Sequence, residues 1–182
     1  MQLLYYPDPR LRVTAKPVKR VDEALLEAIP RLFEVMYRAR GIGLAGPQVG
    51  LDRRIIVANL TGNPENGDQE RVFVDPEIIE RVGEKREDEG CLSFPGMSVV
   101  TVRAEKVEVR YLDLEGREIR RAAEGLEAKF FQHEIDHLDG VLLLDRMTPA
   151  DKKQWAPLLK DLEREYKSKI RRTPAARSKT AL

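Results

Sequence analysis

The chain has 182 residues but only two histidines, and these stand four apart in the segment His133-Glu134-Ile135-Asp136-His137. Side chains four apart on an α-helix share one face at a separation of about 5–6 Å, so two imidazoles placed this way can bind one metal ion. A glutamate directly after the first histidine can reach water held at that ion without ligating the ion itself. Helical spacing runs from Ala122 to Leu138. Leu126, Phe130, His133 and His137 form one stripe, and Phe131, Ile135 and Leu138 form an adjacent one. Lys129, Gln132 and Asp136 make a polar stripe, and of the two places open to Lys129, the rim of a pocket or solvent, solvent is the expectation. A helix apolar over so much of its circumference is buried. The plainer alternative is a pair of packing histidines beside solvated acids, which requires that all the histidine in the chain fell at this spacing by chance.

Two ligands leave a site incomplete, and no histidine follows His137. The candidate third ligand is Cys91, in Glu89-Gly90-Cys91-Leu92-Ser93; the competing reading is a buried, inert thiol. One Cys and two His would leave a coordination position open, which is catalytic rather than structural geometry. A thiolate in the set suits Fe(II) as well as Zn(II).

The remaining sequence bounds the protein class. A single cysteine cannot form an intramolecular disulfide, which fits a reducing compartment. The charges, 32 basic against 31 acidic, argue against a whole-protein grip on nucleic acid and against specific DNA binding. No apolar run is longer than Val141-Leu142-Leu143-Leu144, far short of the ~20 residues of a membrane span, and residues 1–7 lack the pattern of a signal peptide. The expectation is a cytoplasmic protein.

Asp22 is the expected N-cap and Gly41 the expected stop of a helix that Pro30 should kink or split. Gly41 to Gly50, with four glycines and a proline, argues against a regular element and for backbone open to close approach. No Gly-Lys-Ser/Thr follows, which disfavours a phosphate loop. From there to about Ala122 the chain reads as β. Ile55–Ala58 is a buried strand, Val72–Val74 and Ile78-Ile79 are short strands, and Lys106–Tyr111 is a half-buried strand turning through Asp113–Gly116 into Glu118–Arg121. Thr61 to Gln69 reads as a mobile polar loop. Thr148-Pro149 starts a last helix with Trp155, Leu158, Leu159, Leu162 and Tyr166 on its apolar side. Beyond Tyr166 the charges are all basic, so the expected organisation is one domain over 1–166 and a flexible tail over 167–182.

Three segments together resemble the peptide deformylases. Gly41 to Gln48 resembles their G-x-G-L-A-x-x-Q motif, Glu89 to Ser93 their E-G-C-L-S, and Gln132 to His137 their Q-H-E-x-D-H. The resemblance covers about residues 1–150 and implies an α+β fold, with antiparallel β-strands wrapped around a central buried helix carrying H-E-x-x-H and with a C-terminal helix. It implies that Cys91, His133 and His137 hold one divalent ion, Fe(II) natively, with Zn(II), Ni(II) or Co(II) able to replace it. It implies hydrolysis of the formyl group on the N-terminal methionine of newly made bacterial-type polypeptides. In that scheme Glu134 moves the proton, while Gln48 and the Leu92 N–H donate to the developing oxyanion. Ile42, Gly43, Leu44, Gly90, Leu126 and Phe130 bind the substrate by side chain or backbone. A Glu89–Arg103 ion pair would steady the Cys91 loop, and the basic tail could dock on the ribosome.

Two departures stand out. Gly46 occupies a position that is usually Ala, which should loosen the loop, and Ser98 stands about where some members carry an arginine near the site. The competing functions are a zinc endoprotease, disfavoured by the missing downstream histidine, and a metal-stabilised RNA-binding protein.

Overall fold

The fold is taken from a computed structural model, which describes residues 1–172. In chain order the elements are α1 (Glu23–Arg38), β1 (Gly43–Ala45), β2 (Ile55–Ala58), β3 (Arg71–Val82), β4 (Lys85–Cys91), β5 (Phe94–Arg103), β6 (Lys106–Leu112), β7 (Glu118–Glu124), α2 (Gly125–Leu138) and α3 (Pro149–Arg172). The strands pair antiparallel throughout, as a five-stranded sheet ordered β1-β2-β3-β6-β7 and a separate β4-β5 hairpin.

The unbroken apolar run Ile55–Ala58 follows from burial of the sheet on both faces at this end. Ile56 and Ala58 pack with Ala45 and Phe73 against Phe130, Phe131, Ile135 and Leu138 of α2. Ile55 and Val57, one residue out of phase, pack with Leu44 and Val74 against Leu25, Leu32 and Met36 of α1. A third core joins the N-terminal segment (Leu4, Leu11), the hairpin (Phe94, Met97, Val99) and residues Leu142, Leu143 and Met147, with α3 closing over it through Trp155, Leu158 and Leu159. The helix with both histidines therefore lies between the sheet and the hairpin, as the α+β expectation requires. No helix among the described residues is long and apolar enough to cross a membrane.

Capping follows the sequence. The Asp22 carboxylate accepts from Leu25 N–H (2.8 Å) at the start of α1. At α3, Thr148 Oγ1 accepts from Asp151 N–H (3.1 Å) while the Asp151 carboxylate accepts from Thr148 N–H (3.1 Å).

Several expectations need correction. Pro30 neither splits nor ends α1, because it lies on the exposed side, where water can serve the carbonyl it leaves unpaired. Ala122, Ala123 and Glu124 belong to β7, paired with Glu108, Val107 and Lys106, so the helix starts at Gly125. The glycine-rich segment contains strand β1 and a 3-10 turn over Gly46–Val49. The two short strands expected around Val72 and Ile78 are one strand, β3, whose register with β6 shifts between Val74 and Glu77, at Asp75 and Pro76. The loop expected to be mobile is pinned from inside. Fully buried Asn59 donates from Nδ2 to Tyr37 Oη (2.9 Å), Asn63 O (3.0 Å) and Asn66 O (3.1 Å), and its Oδ1 accepts from Thr61. α3 continues past Tyr166 to Arg172; the rest of the basic tail lies outside the described residues.

Candidate metal centre

Antiparallel pairing brings the end of β4 over the face of α2 that carries both imidazoles. Cys91 Sγ lies 3.2 Å from His137 Nε2, and one ligand atom from each of Cys91, His133 and His137 falls within 4.8 Å of the others. Metal–sulfur and metal–nitrogen bonds of ~2.3 and ~2.1 Å in a tetrahedron give ligand–ligand edges of about 3.6 Å, so the three atoms are spaced to share one ion. The two rings stand nearly perpendicular, at 81°. His133 Nδ1 donates to Glu89 Oε1 (2.6 Å), which turns its Nε2 toward the cluster.

The chemistry of the donor set also fits a cation. Burial lowers the pKa of His133, but attraction and hydrogen bonding to Cys91 and the bond to Glu89 outweigh this and raise it. Burial and the neighbouring His133 hold His137 well below its ordinary value, as a neutral ligand requires. No fourth Cys, His, Asp or Glu joins the group among the described residues.

Buried charges brace this arrangement from behind. Arg103 donates to both Glu89 oxygens (Nε to Oε2 2.8 Å, Nη2 to Oε1 2.6 Å) and through Nη1 to Asp136 Oδ2 (2.6 Å). Thr101 Oγ1 donates to Glu89 Oε2 (2.7 Å). Burial alone would raise the pKa of Glu89, but the bonds from Arg103 and His133 reverse the shift and keep it ionised far into acid. The ion pair expected between Glu89 and Arg103 is therefore present, and Asp136 extends it to Arg146, whose Nε and Nη2 both donate to that carboxylate.

Glu134 points into the cleft on the side of Gly43, and its Oε2 has no partner among the described residues. Burial pushes its pKa up to about 7, partly countered by His133, which suits a group that takes and returns a proton near neutrality. The Gln48 side chain is held the same way round by two bonds. Its Oε1 accepts from Ala45 N–H (2.9 Å), and its Nε2 donates to Ser93 Oγ (3.3 Å) and lies 3.8 Å from Cys91 Sγ.

A cleft of about 580 Å³ opens over these groups. Of the residues expected from the sequence, Ile42, Gly43, Gln48, Gly90, Cys91, Leu92, Leu126, Phe130, His133 and Glu134 line it. Leu126 is half-exposed at its lip, and His137 lies behind, fully buried. The Leu44 side chain lies elsewhere. Successive β1 residues face opposite ways, so its side chain packs against α1 on the far side of the sheet. Lys129 also departs from expectation, since it rims the cleft and its Nζ donates to Asp88 O (3.2 Å). Ser98 sits on the exposed face of β5, outside the cleft lining.

Two glycines in the first motif are required by space. A Cβ on Gly43 would lie 2.3 Å from Phe130 Cε2 and 2.9 Å from Glu134 Oε1. A Cβ on Gly46 would meet the carbonyls of Arg53 (2.7 Å) and Leu51 (2.9 Å), so glycine there closes the turn tightly rather than loosening it.

Sequence reasoning missed Leu3 and Tyr5, which reach the cleft because Leu4 N–H donates to Gln48 O (2.7 Å) and Tyr6 N–H to Ser93 O (3.0 Å). It also missed Arg40, Pro95 and Met97. No local pattern marks these residues; they arrive through long-range pairing.

Comparison with known proteins agrees with this geometry. The polypeptide deformylase family matches the chain over residues 1–153. A peptide deformylase of Chromobacterium violaceum is 42% identical over 165 residues, covering 91% of this chain and 97% of the relative. Among solved structures, a peptide deformylase of Plasmodium falciparum superposes with a TM-score of 0.88 at 39% identity, covering 91% of this chain and 97% of that one. A plant peptide deformylase superposes with a TM-score of 0.89 at 40% identity, covering 93% and 92%.

Proposed function

The chain belongs to the polypeptide deformylase family, enzymes that remove the N-formyl group of nascent polypeptides by metal-dependent hydrolysis, and we propose the following division of labour among its residues. Cys91 Sγ and the Nε2 atoms of His133 and His137 hold one ion; the thiolate suits Fe(II) as well as Zn(II), and we take the ion to be Fe(II) from the family resemblance. When bound, the ion supplies Lewis acidity that makes water a nucleophile near neutral pH. Glu134 takes the proton of the attacking water and delivers it to the leaving amine nitrogen, so that formamide plus water gives formate plus amine. Gln48 Nε2 and the Leu92 N–H donate to the oxygen that gains charge as water adds; losing such a donor typically costs ~10²–10³ in rate.

The methionine side chain enters the apolar wall of Phe130, Leu126 and Ile42, and Gly43 lets it approach. The open edge of β1 and the backbone around Gly90 receive the peptide as an added strand. The observation that carries this reading is the meeting of Cys91, His133 and His137, with Glu134 buried beside them and turned into the cleft.

The test is formate release from a formyl-Met peptide by wild type and Glu134→Gln. The variant should keep its metal and lose turnover by at least ~10²; full activity would refute the role. Metal content of anaerobically prepared protein decides the ion, and Fe(II) predicts inactivation in air.

A second reading concerns α3. Lys153, Lys160, Arg164, Lys167 and Arg171 are exposed at helical spacing, on the side away from Leu158 and Leu162. We infer that this stripe docks on ribosomal RNA phosphates, which would place the enzyme in the cytoplasm beside its substrate. Substituting Lys160, Arg164 and Lys167 by Glu should weaken a salt-sensitive association with ribosomes and spare turnover of short peptides; unchanged association would refute the docking.

A further inference from the structure

Both long helices that lead into the site end in the same backbone motif, but with different residues at its left-handed position. At the end of α2, Val141 N–H donates to Asp136 O (2.8 Å) and Gly140 N–H to His137 O (3.3 Å), with Gly140 at φ +71°. At the end of α1, Gly41 N–H donates to Met36 O (2.9 Å) and Arg40 N–H to Tyr37 O (2.9 Å), with Arg40 at φ +58°. This is the pattern in which glycine normally takes the left-handed place. The stop expected at Gly41 is therefore one residue earlier, on an arginine, in a conformation that disfavours any side chain. Non-glycine residues held this way concentrate at functional sites.

Arg40 also stands on the cleft. It lines the β1 side of the mouth, is exposed, and makes no ion pair among the described residues. Its neighbour Arg38 is already paired with Glu34. Across the cleft the β4 wall is close to neutral, with Glu87 between Lys85 and Lys129, and Asp88 beside them. Among the described residues that line the mouth, the charges outside any ion pair are thus the Asp88 carboxylate on the β4 side and the Arg40 guanidinium on the β1 side, and a chain held along β1 meets the guanidinium. Gly43 adjoins Glu134 and Phe130, where the formylmethionine is proposed to sit. Arg40 is three residues before Gly43, where the chain enters the β1 edge, and at most about 10 Å from it. A peptide running outward along that edge brings its third and fourth residues to it.

We propose that Arg40 is a specificity-determining residue that favours acidic side chains at the third and fourth positions of the formylmethionyl chain. This rests on the deformylase reading and extends it from the formylmethionine to the segment that follows.

The test compares amidated formyl-Met-Ala-Asp-Asp, formyl-Met-Ala-Ala-Ala and formyl-Met-Ala-Lys-Lys on the metal-loaded enzyme. An exposed ion pair is a modest effect, so kcat/KM should favour Asp-Asp over Lys-Lys by about three- to tenfold at low salt. The difference should lie in KM rather than kcat and should shrink toward unity at high salt, as a screened contact does. Arg40→Gly suits the backbone and should flatten the series, and Arg40→Glu should reverse it. Equal KM values across the series in wild type, or a wild-type ratio retained in Arg40→Gly, would overturn the assignment. Failure of wild type to release formate from any of the three would instead remove the deformylase reading beneath it.

Discussion

Replacing Arg103 with leucine would remove three charge-assisted hydrogen bonds at once: two to Glu89 (2.8 and 2.6 Å) and one to Asp136 (2.6 Å). The loss does not fall equally on the two acids. Asp136 keeps both bonds from Arg146, whereas Glu89, with its side chain only 4% exposed, is left with Thr101 and His133. Stranding a buried charge in this way costs about 3–5 kcal/mol. The metal-loaded protein should therefore show a lower urea midpoint at an unchanged slope, with metal in fixed excess so that binding does not distort the comparison.

Two controls follow from the same reasoning. In wild type the depressed Glu89 pKa contributes stability that is present above the ordinary carboxylate value and is lost only as pH falls through the depressed one. Without Arg103, burial dominates and the pKa rises. The deficit of the variant should then be largest at neutral pH and should narrow toward pH 5. Adding Glu89→Gln removes the stranded charge, so the double variant should recover about 2 kcal/mol relative to the single one. A loss below ~1 kcal/mol in Arg103→Leu, or a double variant no better than the single, would refute the claim that this pair supports the metal centre by charge compensation.

Gly43→Ala forces a methyl group against Phe130, which cannot yield because it packs on Phe73 and Phe131; we expect about 1–3 kcal/mol of destabilisation and a loss of about 10² in kcat/KM as Glu134 is displaced, measured by urea unfolding and formate release. Asp75→Asn probes a carboxylate whose pKa is raised by burial, against the opposing bond from Val18 N–H and the charge of Arg54. A raised carboxyl pKa favours the fold below its ordinary value and is lost as pH rises through the folded value, so the variant should melt at or above wild type at pH 7 and lose that advantage near pH 3. Asparagine also tolerates the left-handed backbone at this position (φ +48°).

The features legible in the sequence are those whose cause is local. The spacing of His133 and His137, the caps at Asp22 and Thr148, and the doubly buried run Ile55–Ala58 each follow from a periodicity or a hydrogen bond within a few residues. Features set by pairing with distant chain were missed or misread. Ala122 to Glu124 has helix-forming residues but is held as strand by β6. Lys85 to Glu89, charged at every position, gives no strand signal, yet it is β4, because its pairing with β5 buries Glu89 and Cys91 and leaves Asp88 and Gly90 exposed at the cleft.

The same distinction separates the side chains of two neighbouring site residues. Neighbours in a strand do not share a surface: Gly43 faces Phe130 and Glu134, and the Leu44 side chain faces α1. A motif on a helix groups residues three or four apart on one face, so His133 and His137 could be assigned to one site together. A motif on a strand divides between catalysis and core at every second position. The residues of Gly41–Gln48 therefore had to be separated by the pleat of β1 before their roles could be assigned: Gly41, Ile42, Gly43 and Gln48 line the cleft, and the Leu44 side chain lies on the other face of the sheet.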